Sequence, residues 1–430
     1  MRQWMVAAKK ADFYVIAEKF HVDPVVARII RNREVIGEKN IRIYLGGNLS
    51  DLSDPHQMKD MDRLVEILAQ KIRKQVHIRI IGDYDVDGVT SSHLFLTALR
   101  RVGAKVDVVI PHRIQDGYGL SLHLLQQAKE DGVDTILTCD NGIAAIDEIA
   151  WAKAQKMTVL VTDHHAVPFE EHEGRRTEKK SLADAVVNPH QQDCGYPYKE
   201  LCGAGVAWNV IRVLYENYDM DKREAEDLLD FVAMATVCDV MSLTGENRIL
   251  VKEGLKRIRH TKNIGLQALM QACNVQPENI SAYHFGYVLG PCVNATGRLD
   301  TARHALRLFE TGQETEAEEI ARDLVDLNQE RKELTLQGVE MAKKLCEEGG
   351  YEKDPVLVLF LPDVHESIAG LIAGRIREMY NRPVFVLTRG EEGVKGSGRS
   401  TENYSMYENM CGCAELFTKF GGHPMAAGLS

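Results

Sequence analysis

The chain has 430 residues, of which 44% are apolar and 27% charged, and this predicts a globular protein of two domains with connecting segments. Its formal net charge of −11 argues against a globally basic nucleic-acid-binding protein but leaves room for local basic patches. No apolar run reaches the length of a membrane span, and nine scattered cysteines without a C-x-x-C pair indicate free thiols in a cytoplasmic protein.

The motif D-Y-D-V-D-G follows the first predicted strand. Apolar residues three or four apart predict an amphipathic helix over Lys59–Lys74, and the strand comes next, over Val76–Ile81. Alternation in extended chain puts Asp83, Asp85 and Asp87 on one side, so their carboxylates converge just past the strand. Because three like charges at this spacing repel each other unless a cation lies among them, we expect a metal site.

Two other interpretations compete for this motif. D-x-D-x-D-G also begins an EF-hand calcium loop, which needs a glutamate at its twelfth position. Counted from Asp83, that position is Leu94, and a strand rather than a helix precedes the loop. Asp and Gly are also ordinary residues of a solvated acidic turn. The motif alone does not decide between a metal site and such a turn.

The motif leads into a predicted βαβ unit, and polar residues then follow two more strands. We expect a helix from about Thr90 to Gly103, and the strand-like run V-D-V-V-I-P after it. The strands within residues 133–138 and 157–162 end in D-N-G, at Asp140, and in D-H-H. The carboxyl ends of parallel strands share one edge of a sheet, where binding sites gather. We therefore expect these side chains to meet those of the first motif.

A further carboxylate follows a predicted helix over Phe231–Val237, at Asp239, and we expect it to return to the same cluster. Carboxylates and imidazoles without thiolates favour Mn²⁺ or Mg²⁺ over Zn²⁺ or Fe²⁺. More than four candidate ligands leave room for two ions.

The remainder of the chain predicts a helical region, a connector and a second domain. Residues from Glu246 to about Tyr283 are helical in pattern, and Gly286–Asp300 is loop-like. A helical pattern between Thr311 and Gly349 would span roughly 50 Å, enough to connect two domains. The second domain begins near Pro355. Its predicted elements are a first strand, a helix over Glu366–Tyr380, and strands at Val384–Leu387 and Val394–Ser397.

Two glycine-rich segments of this second domain, Lys395–Ser400 and Gly421–Ser430, are predicted turns. They supply exposed backbone N–H groups together with Arg399 and His423, which suits a phosphate backbone. Tight turns that simply need glycine are an equally good interpretation of each segment.

The ordered set of motifs, from D-Y-D-V-D-G through Asp140 and D-H-H to Asp239, resembles the DHH phosphoesterase superfamily. The second domain, with Gly421-Gly422-His423 and the S-G-R segment, is similar to the associated DHHA1 domain. Further strings are similar to the RecJ family of single-strand-specific exonucleases: Pro111-His112-Arg113, Asp116-Gly117-Tyr118-Gly119-Leu120, Leu201–Ala207 and Asn294–Leu299. The resemblance covers the chain from about residue 40 to its end.

The resemblance implies an α/β fold in which a parallel-sheet DHH domain is joined by a long helix to a smaller α/β DHHA1 domain. The expected divisions are an N-terminal helical segment (1–50), the DHH domain (51–245), a helical connector (246–349) and the DHHA1 domain (350–430). The family's OB-fold, which grips single strands, would follow residue 430, so we expect the chain to be truncated there.

The implied function is that of a metal-dependent 5′-to-3′ exonuclease that releases mononucleotides from single-stranded DNA in repair and recombination. We expect a monomer with two Mn²⁺ or Mg²⁺ ions that works beside a single-strand-binding protein or a helicase. One alternative is a DHH phosphodiesterase for short oligoribonucleotides or cyclic dinucleotides. Another is a catalytically inactive DHH scaffold of a replication assembly.

The family pattern also implies roles for individual residues. Its metal ligands match Asp85, Asp87, Asp140, His164 and Asp239, and Asp83 is a further candidate. His165 matches a residue that faces the scissile phosphate, and Asp140 is the candidate bridging carboxylate. Many relatives carry a histidine where this chain has Ile81. The expected substrate contacts are Arg113, Asn294, Arg298, Ser397, Arg399 and His423.

Overall fold

The computed structural model describes residues 9–113, 116–117, 119–172, 175–390 and 393–430. Residues 1–8 of the predicted N-terminal segment, and Tyr118 of the D-G-Y-G-L string, lie outside this described part. Two compact units make up the chain. The first runs to Gly297 and adds Thr301–Arg322, and the second comprises Arg298–Asp300 and Asp323–Ser430. Among the described residues, no helix combines the length and apolar character needed to cross a bilayer.

Short helices open the first unit, as predicted. They are α1 (Phe13–Phe20), α2 (Pro24–Asn32), α3 (Glu38–Gly46) and α4 (Met61–Arg73). Asp23 caps α2 by accepting a hydrogen bond from the backbone N–H of Val25 at 2.7 Å. Helix α4 buries Met61, Leu64, Val65, Leu68 and Ile72, which confirms the predicted amphipathic helix.

A five-stranded parallel sheet forms the centre of the first unit, in the order β2-β1-β3-β4-β7. Its elements along the chain are β1 (Ile78–Ile81), α5 (Val86–Arg101), β2 (Val106–Val109), α6 (Leu122–Glu130), β3 (Thr135–Cys139), α7 (Ile146–Ala154), β4 (Thr158–Thr162), the antiparallel hairpin β5 (Phe169–His172) and β6 (Arg175–Glu178), and β7 (Ala185–Val187). The strand order reverses between β1 and β3, which makes this the topological switch point.

Helices cover both faces of the sheet, and its central strands β3 and β4 are therefore buried almost throughout. Ile81, Ile136 and Val159 pack with α6 and α7 in one buried cluster. Helices α5 and α8 (Gly203–Asn217) also contact the strands. Helix α5 begins at Val86, not near Thr90 as predicted, because Asp85 already caps it. The small edge strand β7 and the β5–β6 hairpin were not predicted.

The first unit continues as helices, which confirms the helical prediction from Glu246 to about Tyr283. They are α9 (Lys222–Glu226), α10 (Leu229–Cys238), α11 (Gly245–Arg257), α12 (Ile264–Ala272), α13 (Ala282–His284), a π-helix (Phe285–Leu289), α14 (Gly290–Leu299) and α15 (Ala302–Glu310). Helix α16 (Glu314–Gly349) begins in the first unit and continues into the second.

The loop predicted over Gly286–Asp300 is wrong, because the glycines there serve close packing. A Cβ atom at Gly290 would lie 2.3 Å from Cys238 Sγ, and one at Gly297 would lie 2.3 Å from Tyr84 O. Pro291 follows closely on the π-helix Phe285–Leu289, within an uninterrupted helical run. Residues that are usually turn signals are therefore helical here.

The second unit has an α/β fold with a five-stranded sheet in the order β11-β12-β10-β9-β8. The 36-residue helix α16 precedes the first strand of this sheet in the chain. Its elements are β8 (Leu357–Phe360), α17 (Glu366–Tyr380), β9 (Val384–Gly390), β10 (Gly393–Arg399), α18 (Met406–Cys411), β11 (Phe420–His423) and β12 (Ala426–Leu429). Strands β8 and β9 are parallel and the other pairs antiparallel. The predicted α/β fold, with its long helix between two sheet-containing parts, is confirmed.

The two glycine-rich segments predicted as turns are largely strands. The first lies in β10, which confirms the strand predicted over Val394–Ser397, and the second contains most of β11 and β12. Gly396 lies under the side chains of Leu387 and Leu429, and Gly398 under Phe385 and Met406. A strand glycine often marks such a close approach. The glycines serve cross-strand packing here, which periodicity does not distinguish from a turn.

The close packing of α11 on α10 depends on the absence of a side chain at Gly254. A Cβ atom there would lie 2.2 Å from Leu229 O and 2.3 Å from Ala233 Cβ. We expect Gly254→Ala to lower the free energy of unfolding of the first unit by about 1–3 kcal/mol through overpacking. Urea denaturation followed by tryptophan fluorescence measures it. Gly46→Ala, whose new Cβ meets open space, is the matched control, and an equal effect of both variants would contradict the prediction.

Candidate metal centre

Side chains from three strand exits and one helix end meet at the carboxyl edge of the parallel sheet. Asp83 follows β1, Asp140 follows β3 and the D-H-H motif follows β4, so the first two flank the switch point. Asp239 is the C-cap residue of α10. Contacts of His164 with Asp87, Asp140 and Asp239 confirm the prediction that the side chains after these strands and this helix come together.

Burial separates this cluster from a solvated acidic turn. Asp83, Asp87 and Asp140 are only 2%, 1% and 2% exposed. Asp85 is partly exposed and caps α5, where it accepts a hydrogen bond from Gly88 N at 3.0 Å. Leu94, the residue at the twelfth EF-hand position, is buried in the middle of α5. Both competing interpretations of the motif are therefore wrong.

The start of α8 holds the Asp87 carboxylate. Gly203 N donates to one oxygen at 2.6 Å and Ala204 N to the other at 2.8 Å. Backbone N–H groups at a helix N-terminus stabilise a negative charge. A Cβ atom at Gly203 would lie 2.7 Å from Asp140 Cβ, so only glycine fits. In the sequence, the string L-C-G-A-G-V-A marked this position only through its resemblance to relatives.

Asp140 leaves β3 in a left-handed conformation with φ of 61°. The next residue fixes this turn, because Asn141 Nδ2 donates to Ile81 O at 3.1 Å and to Cys139 O at 2.9 Å. These bonds join the ends of β1 and β3. The turn thus sets the position of the Asp140 carboxylate relative to the D-Y-D-V-D-G loop.

His164 lies at the centre of the cluster. Its Nε2 is 3.1 Å from Asp140 Oδ1 and 3.6 Å from oxygens of both Asp87 and Asp239. Burial lowers the pKa of His164 below its ordinary value. A neutral imidazole is the form that binds a metal ion.

His165 points to a different partner. Its Nδ1 is 2.8 Å from Asp163 Oδ1. Burial acts to lower the pKa of His165, but the hydrogen bond and charge of Asp163 raise it to about 9. Asp163 also accepts from Ile143 N at 2.9 Å and from His164 N at 2.7 Å. Asp163 orients both histidines of its motif, a role that the sequence did not assign.

The carboxylates repel one another across the centre. Burial, and then neighbouring carboxylates, raise the pKa of Asp83 and of Asp140 above the ordinary value, and raise that of Asp239 to about 8. Asp83 Oδ1 is buried and has no hydrogen-bond partner within the described part of the chain. A divalent cation would satisfy this oxygen and offset the repulsion. Oxygen and imidazole donors without thiolates fit Mn²⁺ or Mg²⁺.

Three overlapping groups of ligand atoms, each within 4.8 Å, occur among the described residues. They are Asp83 with Asp85 and Asp140, Asp87 with His164 and Asp239, and Asp140 with His164 and His165. Asp140 and His164 each belong to two groups. Every predicted metal residue is therefore part of one continuous cluster.

Two predicted substrate residues of the first unit lie beside the D-Y-D-V-D-G loop. The Arg113 guanidinium lies over the Tyr84 ring, 4.4 Å from its centroid. Asn294 Oδ1 accepts a hydrogen bond from Val86 N at 3.1 Å, so that oxygen supports the loop.

The other four predicted substrate residues belong to the second unit. Arg298 Nη1 donates to Ser367 O at 2.7 Å, and Arg399 Nη1 donates to Gly398 O at 2.8 Å. Ser397 is in β10. His423 is exposed in β11, and its Nδ1 accepts from Met425 N at 3.2 Å.

Comparison with known proteins agrees with this architecture. The model of the DHH family N-terminal domain matches residues 77–236, and that of the DHHA1 domain matches residues 353–430. The single-stranded-DNA-specific exonuclease RecJ of Haemophilus influenzae is 36% identical over 425 residues, which covers 95% of this chain and 72% of that protein. The chain belongs to the RecJ family. The RecJ of Bacillus subtilis is 34% identical over 96% of the chain and 51% of its own length.

Solved RecJ structures share the fold. RecJ of Thermus thermophilus in complex with Mn²⁺ superposes with a TM-score of 0.81 at 29% identity, over 97% of this chain and 58% of that one. Its complex with Mg²⁺ gives a TM-score of 0.74 at 28% identity, over 97% and 56%. The chain thus spans between about half and three quarters of the RecJ proteins named here.

RecJ membership confirms the predicted family, the enzyme class of a single-stranded-DNA-specific exonuclease, and Mn²⁺ or Mg²⁺ as cofactor. It does not favour a phosphodiesterase for short oligoribonucleotides or cyclic dinucleotides. An inactive scaffold would be expected to lack metal ligands, whereas every predicted ligand is present in the cluster.

The raised pKa values predict how stability depends on pH. A carboxyl group with a raised pKa keeps in the folded state a proton that the unfolded state has released, so stability falls as pH rises through the folded pKa. The pKa of Asp239 is about 8. The stabilisation from protonated His165, whose pKa is about 9, is also lost as pH rises through that value. The two effects have the same sign between neutral and alkaline pH.

We expect the metal-free protein to lose stability from about pH 7 to about pH 9, by up to about 1.4 kcal/mol per pH unit for each proton involved. Mg²⁺ should raise the melting temperature more at the higher pH, because the ion takes the place of the protons. Differential scanning fluorimetry with chelator or Mg²⁺ measures this. Asp239→Asn should flatten the pH dependence, and an equal Mg²⁺ effect at both pH values would contradict the prediction.

Proposed function

We propose that this chain hydrolyses single-stranded DNA from the 5′ end and releases mononucleotides, with two divalent cations bound. The observation that carries the proposal is the continuous cluster of five aspartates and two histidines at the sheet edge, in which Asp140 and His164 each belong to two ligand groups. Sharing of ligands suits two adjacent ions. Asp140 is the candidate bridging carboxylate.

Bound cations would act as Lewis acids on the scissile phosphate and lower the pKa of the attacking water. Asp83, Asp85 and Asp140 would hold one ion, and Asp87, His164 and Asp239 the other. The N-terminus of α8 fixes the Asp87 carboxylate, which limits how far the ligands can rearrange. The chain thus supplies a preorganised set of negative ligands.

His165 supplies a positive charge beside these ligands. Its raised pKa keeps it protonated at neutral pH, and its bond to Asp163 fixes the ring through Nδ1. The opposite nitrogen, Nε2, would then donate to a phosphate oxygen as negative charge develops on it. We assign His165 to this role rather than to metal binding.

A phosphate-binding arginine would explain attack from the 5′ end, since a guanidinium fixes the orientation of a phosphate by paired hydrogen bonds. Arg113, beside Tyr84, is the candidate in the first unit. Arg298, Ser397, Arg399 and His423 are the candidates in the second unit, for the 5′ phosphate or the DNA backbone.

We further propose that the protein acts as a monomer in the cytoplasm, in DNA repair and recombination, beside a single-strand-binding protein or a helicase. A DNA substrate supports this location. The nine cysteines all lie within the described residues and are thiols rather than disulfides, as expected in a reducing compartment.

Product analysis on labelled DNA tests the polarity. With Mn²⁺, a 5′-labelled single strand should release its label as a mononucleotide at once, whereas a 3′-labelled strand should shorten progressively. Immediate release of the 3′ label would contradict the proposed direction.

Arg298→Ala should weaken the preference for 5′-phosphorylated ends about tenfold, because a charge-assisted contact is lost. Cleavage rates on strands with and without a 5′ phosphate measure this preference. An unchanged preference would remove Arg298 from this role.

Two substitutions separate metal binding from charge stabilisation. Asp140→Asn should weaken Mn²⁺ binding and abolish cleavage. His165→Ala should lower kcat by about 10²–10³ while Mn²⁺ affinity, measured by calorimetry, stays near that of the parent. His190→Ala, at an exposed histidine, is the control. A large loss of Mn²⁺ affinity in His165→Ala would instead make His165 a metal ligand.

A further inference from the structure

Two exposed tyrosines form a stacked aromatic pair in the first unit. Tyr283 and Tyr287 are 63% and 72% exposed. Their rings stack on each other, with centroids 5.2 Å apart and planes 27° apart. Tyrosine is on average partly buried and is enriched at interfaces, where its ring supplies a large contact area. The ring faces turned to solvent are therefore available to a planar ligand.

The backbone of this segment is unusual. Tyr287 stands within the π-helix Phe285–Leu289, which joins α13 to α14. Single π-helical turns are rare and frequently mark functional sites. Residues four apart share one face of a helix, which brings the two rings together. The glycines at 286 and 290 lie on a different face, which packs on α10.

That packing ties the segment to the end of α10, where Asp239 is the C-cap. Cys238 Sγ donates to Phe285 O at 3.3 Å, and a Cβ atom at Gly290 would lie 2.3 Å from Cys238 Sγ. Cys238 immediately precedes the ligand Asp239. The tyrosines are thus carried by a rigid segment that contacts the neighbour of a metal ligand.

The same segment reaches the D-Y-D-V-D-G loop at its other end. Asn294 Oδ1 accepts from Val86 N, which lies between the ligands Asp85 and Asp87. Seven residues of helix separate Tyr287 from Asn294, a rise of about 10 Å. A DNA strand whose scissile phosphate lies at the metal centre would need only a few nucleotides to reach the tyrosines.

We propose that Tyr283 and Tyr287 form a stacking platform for unpaired bases of the DNA substrate, a site that rests on the proposed exonuclease function. Every base has a π-face, so stacking accepts any sequence, as an exonuclease requires. In a duplex, both faces of each base are covered by its neighbours and the base edges are paired. The platform therefore contributes to the preference for single strands.

An abasic scan tests the platform. The ligands are fluorescently labelled single strands carrying one abasic site at each successive position from the 5′ end. Binding is measured by anisotropy with Ca²⁺ in place of Mn²⁺, and gels verify that the strand stays intact. Tyr283→Ala with Tyr287→Ala should weaken binding of the intact strand about fivefold or more. At one or two positions, the abasic site should weaken DNA binding by the parent protein by a similar factor. At the same positions it should hardly change DNA binding by the double variant.

Matched variants make the result specific. Tyr14→Ala, at a tyrosine that is 77% exposed on α1, should bind like the parent. Replacement of both platform tyrosines by Trp should retain binding, since stacking needs the ring and not the hydroxyl. The proposal would be overturned if an abasic site weakened DNA binding equally in the parent and in the double alanine variant at every position. It would also be overturned if the double alanine variant bound the intact strand with unchanged affinity. Cleavage by the parent with Mn²⁺ is scored separately, so a failure of the exonuclease proposal is distinguishable.

Discussion

Mutual repulsion among buried carboxylates is the constraint on which the first unit depends. Burial and neighbouring charges raise the pKa of Asp83 and of Asp140, and Asp83 Oδ1 has no hydrogen-bond partner among the described residues. Such a cluster costs stability unless cations occupy it. The parallel sheet places these groups together because its switch point brings the ends of β1 and β3 side by side. Metal binding would therefore offset the loss of stability that these buried carboxylates cause.

The surrounding structure fixes the ligands rather than neutralising them. The N-terminus of α8 holds Asp87, the Asn141 amide joins the ends of two strands, and Asn294 supports the loop at Val86. Asp163 serves a different purpose, because it keeps His165 protonated and oriented beside the ligands. Backbone N–H groups and side-chain amides thus position the candidate metal ligands, and the ion pair of His165 with Asp163 sets the charge that we propose faces the substrate.

Sequence alone predicted the central strands of the first sheet and the convergence of the side chains that follow them, because short apolar runs that end in polar residues are local signals. The candidate ligand set came from the family resemblance. Sequence alone failed where glycine serves packing between elements. Gly290 and Gly297 are helical and Gly398 lies in a strand, since each admits a side chain or backbone from elsewhere in the fold. The roles of Asp163 and Gly203 were also beyond local reasoning, because each depends on a partner brought close only by the tertiary structure.

The number of protons released when Mn²⁺ binds at neutral pH tests most directly whether the buried, mutually repelling carboxylates form the metal site. Calorimetric titration in buffers of different ionisation enthalpy gives this number together with the stoichiometry. We expect two ions per chain and a net release of protons, since carboxyl groups with a raised pKa must ionise to bind them. Binding without proton release, or no Mn²⁺ binding at all, would contradict it.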